Sequence, residues 1–578
     1  MLFGRVKYHT LLAFVLLAVT PSFGVVFFEN PKDLPQDVEY DFIVAGGGNA
    51  GGVVAGRLAE NPHWNVLVIE AGPSNQDVPA TRTPGLILEV VGTRVDWNYT
   101  VVPQSGINGR TTTYSRGKLL GGCSSHNGMG YTRGAKDDWD KWAENVGDES
   151  LSWENMLPLM FKSEHLVADS QHRPQQGRLI PSLHGHDGNV FVSAGYTDHP
   201  MNEMLLQVTK ELEDEFPFVE DVNDGKPVGI AWAQFSIDSN AERSSSATAY
   251  VGTSHDNLHV LLNTYVTRVV PVDNGTDFRG VEFATDAQSE RKQLIAEKEI
   301  IVSGGVIGSP QILLNSGIGR REDLEAVGIK TLVDNPSVGK NFSDQVYTVA
   351  IFNTTLPLTD YDLDTALAEW SANRTGPLAF PGPLENQIAF VRLPDTAPPF
   401  SEQGFKDPSP GPTAPHIEIY TAQVTKNVPE WNGQAIVPPD LNLSTLQMAV
   451  TNLHPVSRGS VTLNSSNPFQ YPTIDVGLLT SQVDVSILRE GLKSARRLFS
   501  APVFTSSVFN SLFPAGNITT DEDLDAFVRD TAGPYLHGCC SNMMSPRGAK
   551  WGVVDPDFRV KGTKGLRVVD ASVFVGGF

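Results

Sequence analysis

The feature that most constrains the fold is the stretch from Tyr40 to Gly72, which reads YDFIVAGGGNAGGVVAGRLAENPHWNVLVIEAG. An apolar run leads into glycines spaced as G-x-G-x-x-G, a helical pattern follows, and a second apolar run ends at an acidic residue. This order is typical of a strand, a helix and a second parallel strand within about thirty residues. It predicts a βαβ unit with strands over 40–45 and 66–69 and a helix over 50–60.

Each glycine of the motif has a physical task at a dinucleotide site. Gly46 allows the tight turn, Gly48 lets a pyrophosphate approach the backbone, and Gly51 lets the helix pack on the strand. The helix N-terminus would face the diphosphate with its free N–H groups. Glu70, nineteen residues after Gly51, can accept hydrogen bonds from both ribose hydroxyls and would repel the 2′-phosphate of NADP. The alternative is a glycine-rich turn of another α/β protein, but the two strands and the acid favour dinucleotide binding.

Length and charge limit the kinds of protein that this chain can be. Its 578 residues can bury a large core and predict two intertwined domains. The net charge of −23 comes from scattered acidic residues, and such a field repels nucleic acids and anionic membranes. We therefore expect neither nucleic acid nor membrane as a partner.

Residues 1–24 have the pattern of a secretory signal peptide. Arg5 and Lys7 supply positive charge, residues 11–19 form a short apolar run, and small residues follow at positions 22 and 24. The apolar run is too short to span a bilayer. We therefore predict a secreted, extracellular glycoprotein. Its N-glycosylation sequons are Asn98, Asn274, Asn341, Asn353, Asn373, Asn442, Asn464 and Asn517.

A second glycine-rich segment, residues 115–134, reads SRGKLLGGCSSHNGMGYTRG and can lie flat against a planar ligand. Here the sequence resembles the glucose–methanol–choline (GMC) oxidoreductases, flavoproteins that oxidise alcohols. The segments GVIGSPQILLNSGIG and NPSVGKNFSDQ also resemble this family. The residues that match its first signature are Gly121, Gly122, Ser124 and Asn127.

The resemblance implies an α/β (α+β) fold with a Rossmann-type FAD-binding domain of discontinuous segments and a second, antiparallel-sheet substrate-binding domain. It also implies that the backbone at Val266 lies beside the adenine, and that Asp570 of the RVVDAS segment binds the cofactor. The expected FAD-binding domain comprises residues 38–136, 220–335 and 520–578, and the substrate-binding domain comprises residues 137–219 and 336–519.

Apolar patterns outside the glycine motifs predict further elements. Strands are indicated by HIEIYTAQV from His416 and LQMAVTNLHPVSRGSVTL from Leu446, and an amphipathic helix by residues 483–499. Proline is dense over residues 357–439, and segments such as PDTAPPFSEQG and KDPSPGPTAP predict surface loops between strands.

Alcohol oxidation by flavin moves a hydride from the carbinol carbon to N5 while a base removes the hydroxyl proton. The base must be neutral at working pH, which suits histidine. The resemblance places the family's catalytic histidine in YLHG, at His537. The alternative is a structural role, as for any of the 13 histidines.

The string GGCSSHNGM, from Gly121 to Met129, is similar to the sugar-oxidising pyranose dehydrogenases within this family. In them the histidine of this string is bonded to the 8α-methyl of FAD, which implies covalent FAD at His126. The alternative is an unreacted His126 packed on the dimethylbenzene edge of the flavin. The bond would raise the flavin potential and prevent loss of the cofactor outside the cell.

This resemblance implies a monomeric FAD-dependent enzyme that oxidises sugar hydroxyls and is reoxidised by a quinone or radical. The alternative within the family is an aryl-alcohol oxidase, which would prefer benzylic substrates and release hydrogen peroxide. After the RVVDAS segment the chain reads DASVFVGGF to Phe578, where the resemblance implies a second His or Asn and a closing helix. We therefore expect either a sequence that stops short of an active enzyme's C-terminus, or a catalytically inactive flavoprotein or glycan-binding scaffold.

Three cysteines do not make a disulfide framework in a secreted chain of this size. Because adjacent cysteines bridge only in strained geometry, we expect Cys539 and Cys540 to be buried small hydrophobic residues. His184 and His186 form an H-x-H pattern, but no further ligand lies at a suitable spacing, so we predict no metal site.

Overall fold

The computed structural model describes residues 24–273, 275–382, 384, 386–426, 430–431, 434–435 and 443–576. The predicted signal peptide, apart from Gly24, and the sequons at Asn274 and Asn442 lie outside these residues. Across the described ranges, no helix combines the length and apolarity that a bilayer crossing requires.

A six-stranded sheet of the described residues, here the parallel sheet, contains the predicted βαβ unit. The first strand begins at Phe42, two residues later than predicted, and helix α1 spans Asn49–Ala59. Every residue of the two central strands is buried, which explains their continuous apolar runs. In spatial order the strands are Val26–Phe28, Leu258–Leu261, Val66–Ile69, Phe42–Ala45, Glu299–Val302 and Leu566–Val568.

The described residues also form a seven-stranded sheet, here the antiparallel sheet. The strands predicted at HIEIYTAQV and at LQMAVTN are neighbours in it. The proline-rich segments between residues 394 and 415 lie outside its strands, as predicted, but one of them forms the short helix Pro398–Ser401 where a loop was expected. In spatial order the strands are Val508–Phe513, Val346–Thr354, Ser444–Asn452, Ile417–Thr425, Gln387–Val391 and Gly229–Trp232, with Gly533–Pro534 paired to Val346–Thr354.

The remaining elements connect and cover these sheets. The other α-helices are Lys136–Val146 (α2), Trp153–Ser163 (α3), Pro200–Glu211 (α4), Gly305–Asn315 (α5), Arg321–Ala326 (α6), Leu363–Asn373 (α7), Pro398–Ser401 (α8), Gln482–Phe499 (α9) and Asp521–Thr531 (α10), and a π-helix spans Ala247–Val251. Three-stranded sheets comprise Tyr265–Val270, Gly280–Ala284 and Lys292–Ile295, and Lys340–Phe342, Gly459–Thr462 and Thr473–Asp475. Strand pairs comprise Ile318–Gly319 with Val333–Asp334, Glu430–Trp431 with Gln434–Ala435, Tyr99–Thr100 with Thr113–Tyr114, and Glu164–Leu166 with Val190–Val192.

Helix α9, the predicted amphipathic helix, packs against the antiparallel sheet. Gly491 of this helix lies so close to the sheet that a Cβ there would be 2.6 Å from the side chain of Val450. Arg489, only 1% exposed, reaches helix α10, where its Nη1 donates to Asp525 at 2.8 Å. Apolar packing and a buried ion pair therefore hold the helix in place.

The H-x-H segment belongs to a buried ion cluster. Nδ1 of His184 lies 2.5 Å from Glu164 and its Nε2 lies 2.8 Å from Asp221, while Arg133 pairs with Glu164. Burial lowers the pKa of His184, but the hydrogen bonds and charges of the two carboxylates outweigh burial and raise the pKa to about 9. His184 is therefore a cation at neutral pH. Within the described part of the chain, no cluster of His, Cys, Asp and Glu could hold a metal ion.

We expect the substitution His184→Ala to reduce the free energy of unfolding by about 3–5 kcal/mol at pH 6, because it leaves two buried carboxylates without their shared partner. The pKa of His184 is about 9 in the folded protein against 6.5 in a free side chain. The stabilisation is therefore complete below pH 6.5 and is lost as the pH rises through about 9.

Thermal unfolding of both proteins at intervals from acidic to alkaline pH measures this effect. The Tm of the wild-type protein should approach that of the variant at alkaline pH. His186→Ala, which changes an exposed histidine of the same loop, is the control. A Tm difference that does not vary with pH would contradict the assignment.

Candidate active site

A cavity of about 240 Å³ opens at the carboxyl ends of the parallel sheet's central strands. Ala45 and Ile69, which end two of these strands, and Ser303, which follows a third, lie in its wall. This edge is where open α/β sheets bind ligands. The predicted cofactor-binding residues in the wall are Gly46, Gly48, Glu70, Gly122, Val266 and Asp570.

The three motif glycines meet different constraints. A Cβ on Gly51 would overlap the carbonyl oxygen of Gly46, and a Cβ on Gly46, whose φ is +105°, would overlap the carbonyl oxygen of Ser303. Protein packing therefore demands glycine at both positions. A Cβ on Gly48 would find its nearest protein atom, the Cα of Gly122, only at 3.8 Å. Glycine at position 48 thus leaves room in the cavity for a ligand.

Glu70 is a buried carboxylate held by backbone donors. Gly47 N–H donates to its Oε2 and Gly72 N–H donates to its Oε1, both at 2.8 Å. Burial raises the pKa of Glu70 to about 7 against these hydrogen bonds. Because each carboxylate oxygen can accept a second hydrogen bond, Glu70 suits a pair of ribose hydroxyls at the cavity wall.

The loop that begins at Gly121 forms another part of the cavity wall. Gly121 has a φ of +87°, and its carbonyl accepts a 2.6 Å hydrogen bond from the hydroxyl of Ser124. Oδ1 of Asn127 accepts from Arg243 at 2.8 Å. Gly121, Ser124 and Asn127 therefore lie behind the wall, where they hold the loop so that Gly122 and its neighbour line the cavity.

His126 lies four residues after Gly122 of this wall and is only 8% exposed. Its Nε2 is buried and has no hydrogen-bond partner among the described residues. Burial lowers the pKa of His126, and the positive charges of Arg116 and Arg243 lower it further. A buried, neutral imidazole nitrogen without a partner is unusual, and it suits a nitrogen that bonds to a cofactor.

His537 lies beside the cavity, since its neighbour Gly538 is part of the wall. Its backbone N–H donates to Asp344 at 2.7 Å, and its Nδ1 lies 2.7 Å from Oε1 of Gln345. The amide of Gln345 is oriented by its Nε2, which donates to Leu453 O at 3.4 Å. An amide oxygen only accepts, so Nδ1 of His537 carries the proton and Nε2 keeps its lone pair.

The side chain of His537 is exposed, but it faces a recess of the protein and not the open surface. This surrounding protein lowers the pKa of His537 to about 4, and the positive charge of Arg116 contributes. The imidazole is therefore neutral over the whole physiological range and can accept a proton.

Several residues around His537 could not be recognised from the sequence. Arg116 lines the cavity, Asp344 and Gln345 hold His537, and Tyr535 packs its ring 4.7 Å from the His537 ring. The hydroxyl of Tyr535 donates to Glu418 at 2.5 Å. Asp344 and Gln345 are the last two residues of the family-like segment NPSVGKNFSDQ, and this resemblance was the only sign in the sequence that they could be functional. Nothing in the sequence shows that this segment lies next to YLHG.

The structure corrects the expectation for Cys539 and Cys540, which form a disulfide. Both side chains are buried, as expected, and both sulfurs lie near the carbonyl oxygen of Gly576, at 3.5 and 3.4 Å. Cys540 has a φ of +75°, a turn of the backbone that the sequence pattern did not indicate.

Comparison with known proteins defines the class. Models of the GMC oxidoreductase family match residues 40–347 and 455–576. The chain therefore belongs to the GMC oxidoreductases, and the cavity with its glycine motif and Glu70 fits the FAD of this family.

Individual members of the family and solved structures differ in how similar they are to this chain. The chain is 53% identical to pyranose dehydrogenase 3 of Leucoagaricus meleagris over 573 residues, which cover 99% of this chain and 94% of that protein. It is 32% identical to the mitochondrial choline dehydrogenase of Homo sapiens, over 93% of this chain and 86% of that protein. A solved formate oxidase of Aspergillus oryzae matches with a TM-score of 0.82 at 28% identity, over 93% of this chain and 94% of that one.

The two substitutions Gly48→Ala and Gly51→Ala should separate cofactor binding from folding. Gly48→Ala should fold normally, because the protein leaves room for its Cβ. It should weaken FAD binding by on the order of tenfold, or about 1.4 kcal/mol, because the Cβ enters the cavity. Gly51→Ala should lower the Tm and the soluble yield, because its Cβ overlaps the carbonyl of Gly46.

Circular dichroism and the ratio of flavin to protein after purification measure the two effects, in proteins that also carry His126→Ala so that the flavin can dissociate. A Gly48→Ala protein with full flavin content would show that the diphosphate does not pass this residue.

Proposed function

We propose that this chain is a secreted FAD-dependent dehydrogenase that oxidises the hydroxyl groups of pyranose sugars. The observation that carries the proposal is His537, a neutral imidazole beside the cofactor cavity whose Nε2 has no hydrogen-bond partner among the described residues. The sugar substrate is supported by the 53% identity to a pyranose dehydrogenase over nearly the whole chain.

FAD, when bound, supplies the N5 atom that accepts a hydride from the alcohol carbon. Glu70 would hold the adenosine ribose, the backbone of Val266 would lie beside the adenine, and the N-terminus of α1 would face the diphosphate. Asp570 is held by Gly305 N–H at 2.9 Å. Its carboxylate therefore keeps a fixed place in the wall, from which it can orient the cofactor.

His537 would take the hydroxyl proton of the sugar on Nε2. Gln345 fixes the tautomer, and Asp344 fixes the backbone of His537, so the lone pair of Nε2 keeps one direction. Removal of the proton makes the alcohol carbon a better hydride donor. Tyr535 and Glu418 add an aromatic face and a carboxylate next to the base, a combination that suits a polyhydroxylated ring.

We also propose that His126 bonds covalently to FAD. The support is its buried Nε2, which has no partner within the described residues, and its position three residues after a cavity-lining residue. A neutral nitrogen with a free lone pair is the form that could bond to the 8α-carbon of FAD. The new C–N bond would replace one C–H bond of that methyl group, and the flavin ring would take up the two electrons until the electron acceptor reoxidised it.

The finer properties follow from the same resemblance. The acceptor would be a quinone or an organic radical, and the protein would be a secreted, glycosylated monomer that carries a signal peptide over residues 1–24. The division into a FAD-binding domain (38–136, 220–335, 520–578) and a substrate-binding domain (137–219, 336–519) belongs to this proposal.

We expect glucose, added without oxygen, to bleach the flavin absorbance of the wild-type protein. His537→Ala should slow this reduction by about 10²–10⁴-fold, because the variant has no base for the hydroxyl proton. Since the pKa of His537 is lowered to about 4, the wild-type rate should stay level from neutral pH down to about pH 5 and fall as the pH drops through 4. Stopped-flow absorbance measures both effects.

Three other outcomes of this experiment would contradict the proposal in different ways. Bleaching by benzylic alcohols alone, with release of hydrogen peroxide, would indicate an aryl-alcohol oxidase. Bound flavin that no alcohol reduces would indicate an inactive flavoprotein. A protein that binds sugars but carries no flavin would indicate a glycan-binding scaffold.

His126→Ala should abolish covalent attachment and leave FAD that acid precipitation releases. In the wild-type protein the yellow colour should stay with the precipitate. The matched control is His165→Ala, because that histidine contacts the ring of Phe191 on a separate strand pair. Flavin that acid releases from the wild-type protein would show that His126 only packs against the cofactor.

A further inference from the structure

Arg116 is a cation in the cavity wall that pairs directly with no carboxylate among the described residues, although the charges of Asp344 and Asp96 act on it at longer range. Its Nε donates to the carbonyl of Ser115 at 2.7 Å and its Nη2 donates to the carbonyl of Leu536 at 2.5 Å. Among the described residues, its guanidinium forms no salt bridge and is held by main-chain oxygens. Buried charges are usually paired, so a cation that lines a cavity without a salt bridge can serve an anionic ligand.

The contacts of Arg116 place it at the flavin end of the cavity. Leu536, whose carbonyl it binds, directly precedes the base His537. Its guanidinium lies 5.4 Å from the ring of Tyr114, whose hydroxyl donates to Asp344 at 2.8 Å, and Asp344 in turn accepts the N–H of His537. The charge of Arg116 also acts on both His126 and His537, so Arg116 lies within electrostatic range of both.

The charge of the flavin changes during the proposed reaction. Oxidised flavin is neutral, and a hydride brings two electrons and one proton to N5, so the ring gains one negative charge. A fixed cation beside the ring stabilises the reduced form more than the oxidised form. The effect is larger in a cavity than in water, because the effective dielectric constant is lower.

We propose that Arg116 is the fixed cation that stabilises the negative charge of the reduced flavin, and that it positions His537 through the carbonyl of Leu536. This inference rests on the proposed FAD-dependent function and adds to it a determinant of the flavin's reduction potential. The diphosphate of FAD is a second anion that Arg116 could serve. The bond to Leu536 favours the ring, because the base must lie next to the reacting atom of the flavin.

The experiment compares Arg116→Met, Arg116→Gln and Arg116→Lys in the flavin-loaded protein, without any sugar. One readout is the midpoint potential of the flavin. The other is the dissociation constant of sulfite, an anion that adds reversibly to N5 and leaves a negative charge on the ring. Arg496→Met is the matched control, because Arg496 also binds main-chain carbonyls without a salt bridge among the described residues, but lies at the end of α9.

We expect Arg116→Met and Arg116→Gln to bind sulfite at least tenfold more weakly than the wild-type protein. The equilibrium of flavin reduction should shift tenfold toward the oxidised form, which is about 30 mV for a two-electron couple. Arg116→Lys keeps the charge and should stay within about threefold of wild type. Arg496→Met should change neither value.

If Arg116→Met binds sulfite as tightly as the wild-type protein and its flavin has the same midpoint potential, the proposal is wrong. If Arg116→Met does not fold, Arg116→Gln decides, because glutamine can still donate to Leu536 but carries no charge. Loss of flavin with an unchanged potential of the remaining flavin would assign Arg116 to the diphosphate and would also overturn the proposal. A wild-type protein without flavin would instead refute the proposed function, whereas flavin that sugar does not reduce leaves both readouts measurable.

Discussion

The close approach of Gly51 to the carbonyl of Gly46 is the constraint on which the site depends. No side chain fits between helix α1 and the strand that precedes it, so the helix begins directly at the end of the sheet. Gly46 is in turn pressed against Ser303 of the neighbouring strand connection. These contacts bring the helix N-terminus, Glu70 and Asp570 to one edge of the parallel sheet, and they form a cavity of the kind that a dinucleotide needs.

The antiparallel sheet contributes residues that contact the segment of the proposed base. Gln345 directly precedes one of its strands, and Glu418 lies on another. Both reach the segment that carries His537 and Tyr535. Two carboxylic acids, Asp344 and Glu418, lie around His537, whose own pKa is lowered. Burial raises the pKa of both acids to about 7. Desolvation opposes charge in both kinds of group, so the recess favours neutral forms of base and acid alike.

Much of the framework could be predicted because its signals are local. The glycine spacing with its flanking apolar runs predicted the βαβ unit, and the observed boundaries differ by no more than two residues. The periodicity of residues 483–499 likewise predicted helix α9. The disulfide between Cys539 and Cys540 was not predicted, because adjacent cysteines were expected to bridge only in strained geometry. Residue types also do not reveal the positive φ of Cys540. Arg116 lies inside a segment that the sequence identified, but only the three-dimensional structure shows that main-chain carbonyls, and no salt bridge from the described residues, hold its guanidinium.

The sequence by itself determined which residues can build a dinucleotide site, because each glycine and the acid Glu70 act within one short βαβ unit. The tertiary structure alone decided how His537, the proposed base, is held and oriented. Its Nδ1 meets Gln345, 192 residues away in the chain, where Ser343 and Cys539 form an isolated bridge. Such a hydrogen bond depends on how distant segments are paired, and no local pattern of residue types encodes that pairing.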